Sequence, residues 1–385
     1  MLKSDGLTKA GVTVRPVDGW WDRHRFIRFP HTLYGDDPQF RAPPDLLVAQ
    51  DLSRSSNPWF EHGEAQLFLA ERDGAVVGRI SAQVDHRHLE YHDDGAGFFG
   101  YFECEDDHGT ADALLEAAAD WVEERGQTRI RGPFNFSING ESGLLVDGFD
   151  HPNYVMMPHG RPFYDDLLKS AGFEQAKDLY AWRFERQEMP ETPREIAEDM
   201  RDHPGLEIRS IDLDNLERDI NIIIDVFNAG WSDNWGFVPM TEAEIAHLAE
   251  QFKWVVDPDL CMIARYEGEV AGMALGIPNL HEVFRDFEGR LFPFNWAKAL
   301  YRLKIDQLRS FRLILMGLKP KFRGTALGAL SVLMYATIHD RAYAKGYEEA
   351  EASWTLKDND AINRGMEFMG ASHYKTYRLY ETAFE

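Results

Sequence analysis

The residues best suited to chemistry lie in a short loop between a strand-like run, 312–318, and a long helical pattern that ends at Gly346. A strand, a turn of small residues and a helix N-terminus together form an anion site, because backbone N–H groups point outward and the helix dipole favours a phosphate. Small side chains let a pyrophosphate approach these amides. The loop residues expected to line the site are Arg323, Gly324, Thr325, Ala326 and Gly328. A plain strand-to-helix connection is the alternative interpretation.

The helix after the loop is predicted from the spacing of its apolar residues. Leu327, Leu330, Met334 and Ile338 recur at helical intervals, and Gly346 is a typical C-terminal stop.

This segment resembles the coenzyme A signature of the GNAT acetyltransferases, an Arg or Gln followed by x-x-Gly-x-Gly/Ala. Here the signature runs from Arg323 to Gly328, with Ala326 at the usual first glycine. Asn359 and Gly370 match the next conserved block of that family. The resemblance covers about 205–385 and implies an acyl-CoA donor, acetyl-CoA or a longer one, with backbone groups near Met316, Gly317 and Leu318 polarising the thioester carbonyl and Asn359 near the cofactor.

An internal repeat extends the resemblance to the first half of the chain. Residues 67–85 and 260–279 share one pattern, an alternating strand, a turn at Asp73-Gly74 or Glu267-Gly268, and a second alternating strand. Their glycines are separated by 268 − 74 = 194 and 272 − 78 = 194 residues. Each copy predicts a β-hairpin.

A second pair of segments, 167–184 and 365–381, each predict a helix that ends on glycine and continues into an aromatic strand. The chain is therefore predicted to hold two tandem GNAT-like domains of mixed α/β (α+β) class, each with a mostly antiparallel sheet flanked by helices. The expected limits are 1–185 for a degenerate N-terminal domain, 186–205 for a polar, proline-containing linker, and 206–385 for the domain with the acyl-CoA site.

The first half lacks the basic, glycine-containing loop. Glu103, Glu105, Asp106 and Asp107 stand in its place, and carboxylates facing a pyrophosphate would weaken its binding. We expect no coenzyme A there and a supporting role for this domain, with Asn135, Asn139, Glu141 and 156–159 as a pocket wall. A metal site at the acidic cluster is the alternative.

The resemblance implies direct transfer of an acyl group to an amine in a ternary complex. As general base we predict Glu351, because strand alternation sets it on the face opposite Ala350 and Ala352; an exposed structural glutamate is the alternative. Many family members use as acid a tyrosine four residues before the helix-ending glycine, where this chain has Met366. Tyr374, Tyr377 and Tyr380 in the closing strand are the candidate substitutes, with packing residues as the alternative interpretation and water as a further proton donor.

The acceptor pocket is assigned to 227–240, which is rich in Trp, Asn and Gly. Aromatic walls with a few polar groups are typical of small-molecule sites. The predicted substrate-binding residues are Trp231, Asn234, Trp235 and Phe237. A packed loop is the alternative. Arg285, Arg290 and Phe292 in the nearby insertion 281–311 suggest a carboxylate-bearing amine such as an amino acid.

Composition constrains the partners. The net charge of −24 disfavours nonspecific binding to nucleic acid or anionic lipid, although local basic patches remain possible. Cys104 and Cys261 form no disulfide framework or metal motif, and no apolar stretch is long enough for a membrane span. We expect a cytoplasmic protein, monomeric or alternatively homodimeric, with a small-molecule amine as acceptor and no metal, nucleic acid or membrane partner.

Two other functions are compatible with the sequence. The alanine in the loop and the missing tyrosine allow an acyl-CoA-binding sensor or scaffold without activity. The acidic cluster 103–107 allows a metal-dependent nucleotide phosphohydrolase, although no Walker or Nudix-like spacing is present.

Overall fold

The computed structural model describes residues 7–9, 11–306, 308–324 and 326–384. The chain forms two compact units. Unit 1 contains the chain up to Leu179, Phe284–Asn295, and the chain from Lys375 onward, and unit 2 contains Tyr180–Val283 and Trp296–Tyr374.

The elements that begin in unit 1 are strands β1 (Leu7–Lys9), β2 (Val12–Pro16), β3 (Gly63–Arg72), β4 (Ala75–Asp85), β5 (Ala96–Cys104), β6 (Arg129–Gly132), β7 (Leu144–Asp147) and β8 (Glu174–Glu185), and helices α1 (Gly19–Leu33), α2 (Asp45–Asp51), α3 (His86–His92), α4 (His108–Glu123) and α5 (Tyr164–Ser170).

The next elements are helices α6 (Glu191–Arg201), α7 (Leu216–Trp231), α8 (Glu242–Phe252), α9 (Leu280–Phe284), α10 (Asn295–Lys304), α11 (Leu330–Lys345) and α12 (Asp360–Phe368), and strands β9 (Leu206–Ser210), β10 (Cys261–Tyr266), β11 (Glu269–Pro278), β12 (Ser310–Leu318), β13 (Glu349–Leu356) and β14 (Ser372–Ala383).

The predicted repeat is confirmed in detail at the two hairpins. β3 pairs with β4 and β10 pairs with β11, both antiparallel. Both central residues of each turn have positive φ, 52° and 80° at Asp73-Gly74 and 50° and 81° at Glu267-Gly268. Such turns match the right-handed twist of the strands. Each hairpin also shifts register two residues before its turn-side end, after Ala70 and after Ala264.

Among the strand pairs whose register is described within each unit, one is parallel and the others are antiparallel. In unit 1 the order is β1-β2-β3-β4-β5-β6, with β5 and β6 parallel. In unit 2 the order is β9-β10-β11-β12-β13, with β12 and β13 parallel. The mixed, mostly antiparallel architecture predicted from the sequence is confirmed.

The units differ from the predicted limits because the closing strand of each half leaves its own half. Residues 375–383 of β14 belong to unit 1, where Tyr380–Ala383 pair with β6. Residues 180–185 of β8 belong to unit 2, beside β13. The segment predicted as a linker contains α6, whose Ala197 and Met200 are buried in the core of unit 2. Its polar composition reflects one exposed face of a helix rather than an extended connection.

The core of each unit lies between the sheet and its long helix. In unit 1, α4 buries alanines and leucines against β2 to β5, and in unit 2, α11 packs Leu330, Met334 and Ile338 against β10 to β13. Gly346 ends α11 with φ 84°, as predicted. Leu327, however, lies in a 3₁₀ turn before the helix, because α11 begins only at Leu330. No helix in the described part of the chain has the length and hydropathy needed to cross a bilayer.

Candidate active site

The centre of the site in unit 2 is an opening between two strands. β12 pairs with β11 from Phe311 to Leu318, but its parallel pairing with β13 covers only Ser310–Leu313. The two strands separate beyond that point. The edge of β12 from residue 314 to Leu318 is therefore turned toward a gap rather than toward a neighbouring strand, and an extended ligand with amide groups could pair with it.

An aromatic ring closes one side of this edge. A Cβ atom on Gly317 would lie 2.5 Å from Cη2 of Trp231, so glycine is needed where the ring crosses the strand. Trp231 is the last residue of α7, and its ring centroid lies 5.2 Å from that of Phe227. The structure thus brings together a residue assigned to the acceptor pocket and the strand assigned to the thioester.

The guanidinium group of Arg323 holds the loop after β12 by hydrogen bonds to backbone carbonyl oxygens. Its Nε donates to the carbonyl oxygen of Leu318 at 2.9 Å, and its Nη2 donates to that of Gly230 at 2.7 Å. The side chain remains exposed. Arg323 therefore fixes the loop to the end of β12 and to α7 and still presents positive charge to solvent.

The small residues of the loop leave room for a ligand. Gly324 has φ 67°, a conformation that favours glycine, and a Cβ on either Gly324 or Gly328 would meet no atom within 4 Å. Ala329, which precedes α11, has no side-chain oxygen to accept from the N–H groups of the first turn. Both features suit an anion held by backbone amides. Thr325 lies outside the described residues, and nothing is described for the side chain of Ala326.

Asn359 has a structural task in this fold. It is the N-cap of α12, and its side-chain oxygen accepts from the N–H of Ile362 at 3.3 Å. A side chain occupied in this way stabilises the start of a helix. Its assignment to cofactor binding stays a prediction.

A buried polar cluster surrounds Glu351. The Glu351 side chain is fully buried on β13. Its Oε1 accepts from Ser353 Oγ at 2.5 Å, and its Oε2 accepts from the hydroxyl of Tyr374. Arg312, directly opposite on β12, places Nε 3.8 Å from Oε1 and also donates to Ser353 Oγ at 2.8 Å.

These contacts explain how a carboxylate is tolerated in the core. Burial of an unpaired charge is costly, and Arg312 together with two hydroxyl donors offsets that cost. Glu351 and Arg312 face each other where β12 and β13 end their shared pairing. The group predicted as general base therefore lies at the opening between the strands.

Sequence reasoning overlooked Arg312. The signal was present, because Arg312 is the single charged residue in the run Phe311 to Leu318. A lone charge within a buried strand usually has a buried partner. Strand pairing, which the sequence does not give, identifies that partner as Glu351.

The two candidate tyrosines occupy different environments. Tyr374 belongs to unit 2 and hydrogen-bonds to Glu351. Tyr377 belongs to unit 1, where it is fully buried and packs against Gly143. Only Tyr374 joins the cluster around the predicted base.

A third tyrosine, not considered from the sequence, lies beside Met366. Tyr335 on α11 directs its hydroxyl to the sulfur of Met366 at 3.3 Å. Met366 occupies the position where many relatives of the GNAT type carry their acid. Burial raises the pKa of Tyr335, so the hydroxyl stays protonated at neutral pH.

The residues predicted for the acceptor pocket follow α7 in successive turns. The N–H of Asn234 donates to Trp231 O, and the N–H of Phe237 donates to Asn234 O. Phe237 is 5% exposed and packs on Phe227, so it belongs to the core, while Trp231, Asn234 and Trp235 are partly exposed. One turn before Trp231, Oδ1 of Asn228 is buried and accepts no hydrogen bond from the described residues.

In unit 1 the corresponding opening is filled by the chain itself. β5 and β6 pair in parallel only over Ala96–Phe98, and the chain after β6 then turns back over β5. Phe134 N donates to Phe99 O at 2.7 Å, and Asn135 Oδ1 accepts from Tyr101 N at 2.8 Å. An extended ligand therefore cannot pair with the edge of β5 in unit 1.

The acidic cluster of unit 1 is engaged in ion pairs. Glu103 bonds to Arg79 at 2.7 Å, while Glu105 and Asp107 both contact Arg72. Asp107 also caps α4 through the N–H of Gly109 at 2.7 Å. Across the described residues, no group of three or more His, Cys, Asp or Glu side chains is arranged to hold a metal ion.

The architecture and the strand opening define the class of protein. No family model matches the sequence. A tandem GNAT protein from the clavulanic acid biosynthesis pathway superposes with a TM-score of 0.58 over 97% of this chain and 98% of its own, at 11% identity. The chain thus has the fold of a tandem GNAT protein, as its sequence predicted.

Two relatives with higher identity define the family. The bacterial ceramide synthase of Caulobacter vibrioides (strain NA1000 / CB15N) is 40% identical over 380 residues, which cover 98% of each chain. Protein YghO of Escherichia coli (strain K12) is 37% identical over 363 residues, 94% of this chain and 92% of its own. The chain belongs to this family.

Proposed function

We propose that the protein is an acyl-CoA-dependent N-acyltransferase whose acceptor is the amine of a long-chain amino alcohol. The observation that carries the proposal is the fully buried Glu351 at the point where β12 and β13 separate. The relation to a bacterial ceramide synthase supports the acceptor class, because a ceramide is the N-acyl derivative of such an amino alcohol. This acceptor differs from the small or amino-acid-like amine that was expected from the sequence.

The donor is accommodated by main-chain groups. The pantetheine amides pair with the edge of β12 near Met316, Gly317 and Leu318, and the pyrophosphate lies over the loop with Gly324 and Gly328. Because a Cβ at either glycine would meet open space, the loop can receive a ligand without moving its neighbours.

The reaction joins the acyl carbonyl carbon to the acceptor nitrogen and breaks the carbon–sulfur bond. The nitrogen attacks the thioester carbonyl, whose oxygen is stabilised by β12 N–H groups. Glu351 accepts the proton that the nitrogen loses, and the Ser353 and Tyr374 hydroxyls hold its carboxylate in place. The products are an amide and coenzyme A thiol.

Tyr335 is the proposed donor of the proton that the departing thiolate receives. Its hydroxyl lies beside Met366, at the place of the usual acid, and it stays protonated because burial raises its pKa. Tyr374 is engaged with the base, which makes it a positioning residue in this scheme. Base and acid are then separate groups.

The acceptor is proposed to lie along the C-terminal end of α7. The partly exposed rings of Trp231 and Trp235 provide apolar contact area, and Asn234 a polar group. The buried Oδ1 of Asn228 accepts no bond from described residues and could receive one from the amine or hydroxyl of an amino alcohol. Unit 1 is proposed not to bind coenzyme A, since its own opening is filled at Phe134 and Asn135.

The acceptor class is tested by turnover of the full-length protein. Acyl-CoAs of two to eighteen carbons are combined with sphinganine or with a panel of amino acids and polyamines, and thiol release is measured together with product mass. An N-acyl amino alcohol is the expected product. Turnover of amino acids alone would overturn the long-chain acceptor, and acyl-CoA binding without any turnover would favour the sensor.

The donor site is tested by calorimetric titration of acyl-CoA into a matched pair of variants. Gly328→Glu adds a negative charge where a Cβ has room, and it should abolish binding. Gly328→Ala adds only a methyl group and should bind within a few-fold of the unmodified protein. Unchanged binding of acyl-CoA by Gly328→Glu would show that the pyrophosphate does not bind at this loop.

A further inference from the structure

Helix α10 exposes its apolar side chains and buries a charged one. Trp296, Leu300 and Tyr301 are 48%, 51% and 52% exposed, and Ile305, just beyond the helix, is 69% exposed. The buried face carries Ala299 and Arg302.

Arg302 explains why the helix sits this way round. It is 8% exposed, and its Nη1 donates to the carbonyl oxygen of Val283 at 2.7 Å. This bond holds the face with Ala299 and Arg302 inward, so Trp296, Leu300 and Tyr301 are left exposed. In a globular protein the apolar stripe normally faces the core, and a reversed helix marks an interaction surface.

The charge of the segment is also reversed relative to the protein. The whole chain has 41 basic and 65 acidic residues, whereas residues 289–305 contain four basic residues, one of them the buried Arg302, and no acidic residue; the exposed Glu288 and Asp306 flank this segment. Lys298 and Lys304 are exposed on the same helix as the apolar side chains. Phe292 and Phe294, which precede the helix in sequence, are 68% and 81% exposed.

We propose that α10 lies in the surface of a bilayer that contains anionic phospholipid. Its Trp, Leu and Tyr side chains enter the interface, and Lys298 and Lys304 pair with lipid phosphates. Tryptophan and tyrosine favour the boundary between headgroups and acyl chains because each ring joins an apolar body to a polar group. A short helix with this composition lies on a membrane rather than across it.

The lysines favour a bilayer over a protein partner as occupant. Protein interfaces are depleted in lysine, whereas interfacial helices combine lysine with tryptophan and leucine. With a net charge of −24, the rest of the protein is repelled by anionic lipid, so a local basic segment is required for contact. This proposal departs from the expectation, drawn from the sequence, that the protein has no membrane partner.

The advantage of such a surface rests on the proposed function. A long-chain amino alcohol and a long acyl chain both partition into membranes. An enzyme held at the interface receives an acceptor that is scarce in water.

The test is flotation of the full-length protein with vesicles of phosphatidylcholine, alone or with 30 mol% phosphatidylglycerol. Binding is expected only with the anionic lipid and should weaken with salt. Lys298→Glu/Lys304→Glu should weaken partitioning by at least about thirtyfold, since each lysine near the surface contributes about fivefold and the new carboxylates add repulsion. Trp296→Ser/Leu300→Ser should weaken it by about a hundredfold.

The control variant removes two exposed tryptophans elsewhere. Trp20 and Trp21 are 66% and 72% exposed but lie between Asp18 and Asp22. Trp20→Ser/Trp21→Ser should bind vesicles like the unmodified protein. An equal loss in this variant, retained binding in both α10 variants, or no binding by the unmodified protein would each overturn the proposal.

Light scattering after gel filtration tests the main alternative, in which α10 is an interface between two copies of the protein. If the unmodified protein is a dimer that Trp296→Ser/Leu300→Ser converts to monomer, α10 is a protein interface and the bilayer is excluded. Acyl-CoA binding provides a readout that does not depend on the acceptor. Acyl-CoA binding in solution should be unchanged in the α10 variants, so loss of flotation with intact donor binding is distinct from failure of the proposed chemistry.

Discussion

Replacement of Glu351 by glutamine tests the chemistry most directly. Glutamine has nearly the same shape, and its single amide oxygen can still accept from one of the two hydroxyls of Ser353 and Tyr374, but it takes up no proton from an amine. General-base catalysis typically contributes 10²- to 10⁴-fold, so Glu351→Gln should lower kcat by about that factor. The KM for acyl-CoA should change little, because the donor is proposed to bind to main-chain groups.

The same substitution has a limited effect on stability. It leaves the charge of Arg312 without its carboxylate, and loss of one partner from a buried pair costs about 3–5 kcal/mol. Here the contact is 3.8 Å, and Arg312 keeps Ser353 Oγ and the Ser353 carbonyl oxygen as acceptors at 2.8 and 3.1 Å. We therefore expect a loss of about 2 kcal/mol, or a thermal midpoint lower by about 4–8 °C.

The matched control is Glu349→Gln, two residues earlier on the same face of β13. Glu349 is partly exposed and pairs with Arg183 at 2.8 Å. Its loss should cost at most about 1 kcal/mol and leave turnover unchanged. The assay follows thiol release by all three proteins at 25 °C, where they remain folded.

Two results would refute the assignment. If Glu351→Gln retains kcat within fivefold of the unmodified protein, Glu351 is not the base. If Glu349→Gln loses as much activity as Glu351→Gln, the effect comes from the charge of the strand rather than from proton transfer.

Three further predictions concern single side chains. Tyr335→Phe should lower kcat by about tenfold to a hundredfold at unchanged acyl-CoA affinity, measured by calorimetry beside turnover; unchanged kcat would leave thiolate protonation to water. Gly317→Ala should weaken acyl-CoA binding at least tenfold, because the new Cβ lies 2.5 Å from Trp231, and equal binding would show that the ring moves freely. In unit 1, burial and the nearby carboxylates of Asp51 and Glu103 raise the pKa of Glu141 to about 7. A carboxyl group whose pKa is raised by folding contributes most to stability below its unfolded pKa near 4.5, and this contribution is lost as the pH rises through 7. Glu141→Gln should therefore stabilise the protein against urea by about 2–3 kcal/mol at pH 8 and by less at pH 5.5. An equal increase in the unfolding free energy at pH 8 and pH 5.5 would show that ionisation of Glu141 does not destabilise the protein.

Local features of the fold were predictable from the sequence. The turns at Asp73-Gly74 and Glu267-Gly268 need positive φ at both central residues, and a repeat that preserves them at an interval of 194 residues preserves the hairpins as well. The helices that end at Gly172 and Gly370 were predictable because glycine readily adopts positive φ, here 86° and 89°.

The partners of strands and side chains were not predictable in the same way. Alternation sets Glu351 on one face of β13, but only the pairing with β12 brings Arg312 opposite it. Likewise, the acidic run near Glu105 indicates a poor anion site, whereas the closure of unit 1 depends on the chain after β6 turning back so that Phe134 bonds to Phe99. Such contacts arise between segments distant in sequence, and no local preference encodes them.

The polarity of α10 was also missed, for a different reason. Its pattern is amphipathic, and an amphipathic helix is normally assumed to bury its apolar face. The bond from Arg302 to Val283 reverses that assumption.

The exchange of closing strands means that the two halves of the gene product cannot be inherited or engineered as separate modules. A fragment limited to residues 206–385 would lack residues 180–185 beside β13 and would carry 375–383 without the β6 that they pair with. Both defects expose unpaired strand edges, which promote aggregation. Each half therefore completes the sheet of the other through its closing strand, as in a domain swap within one chain.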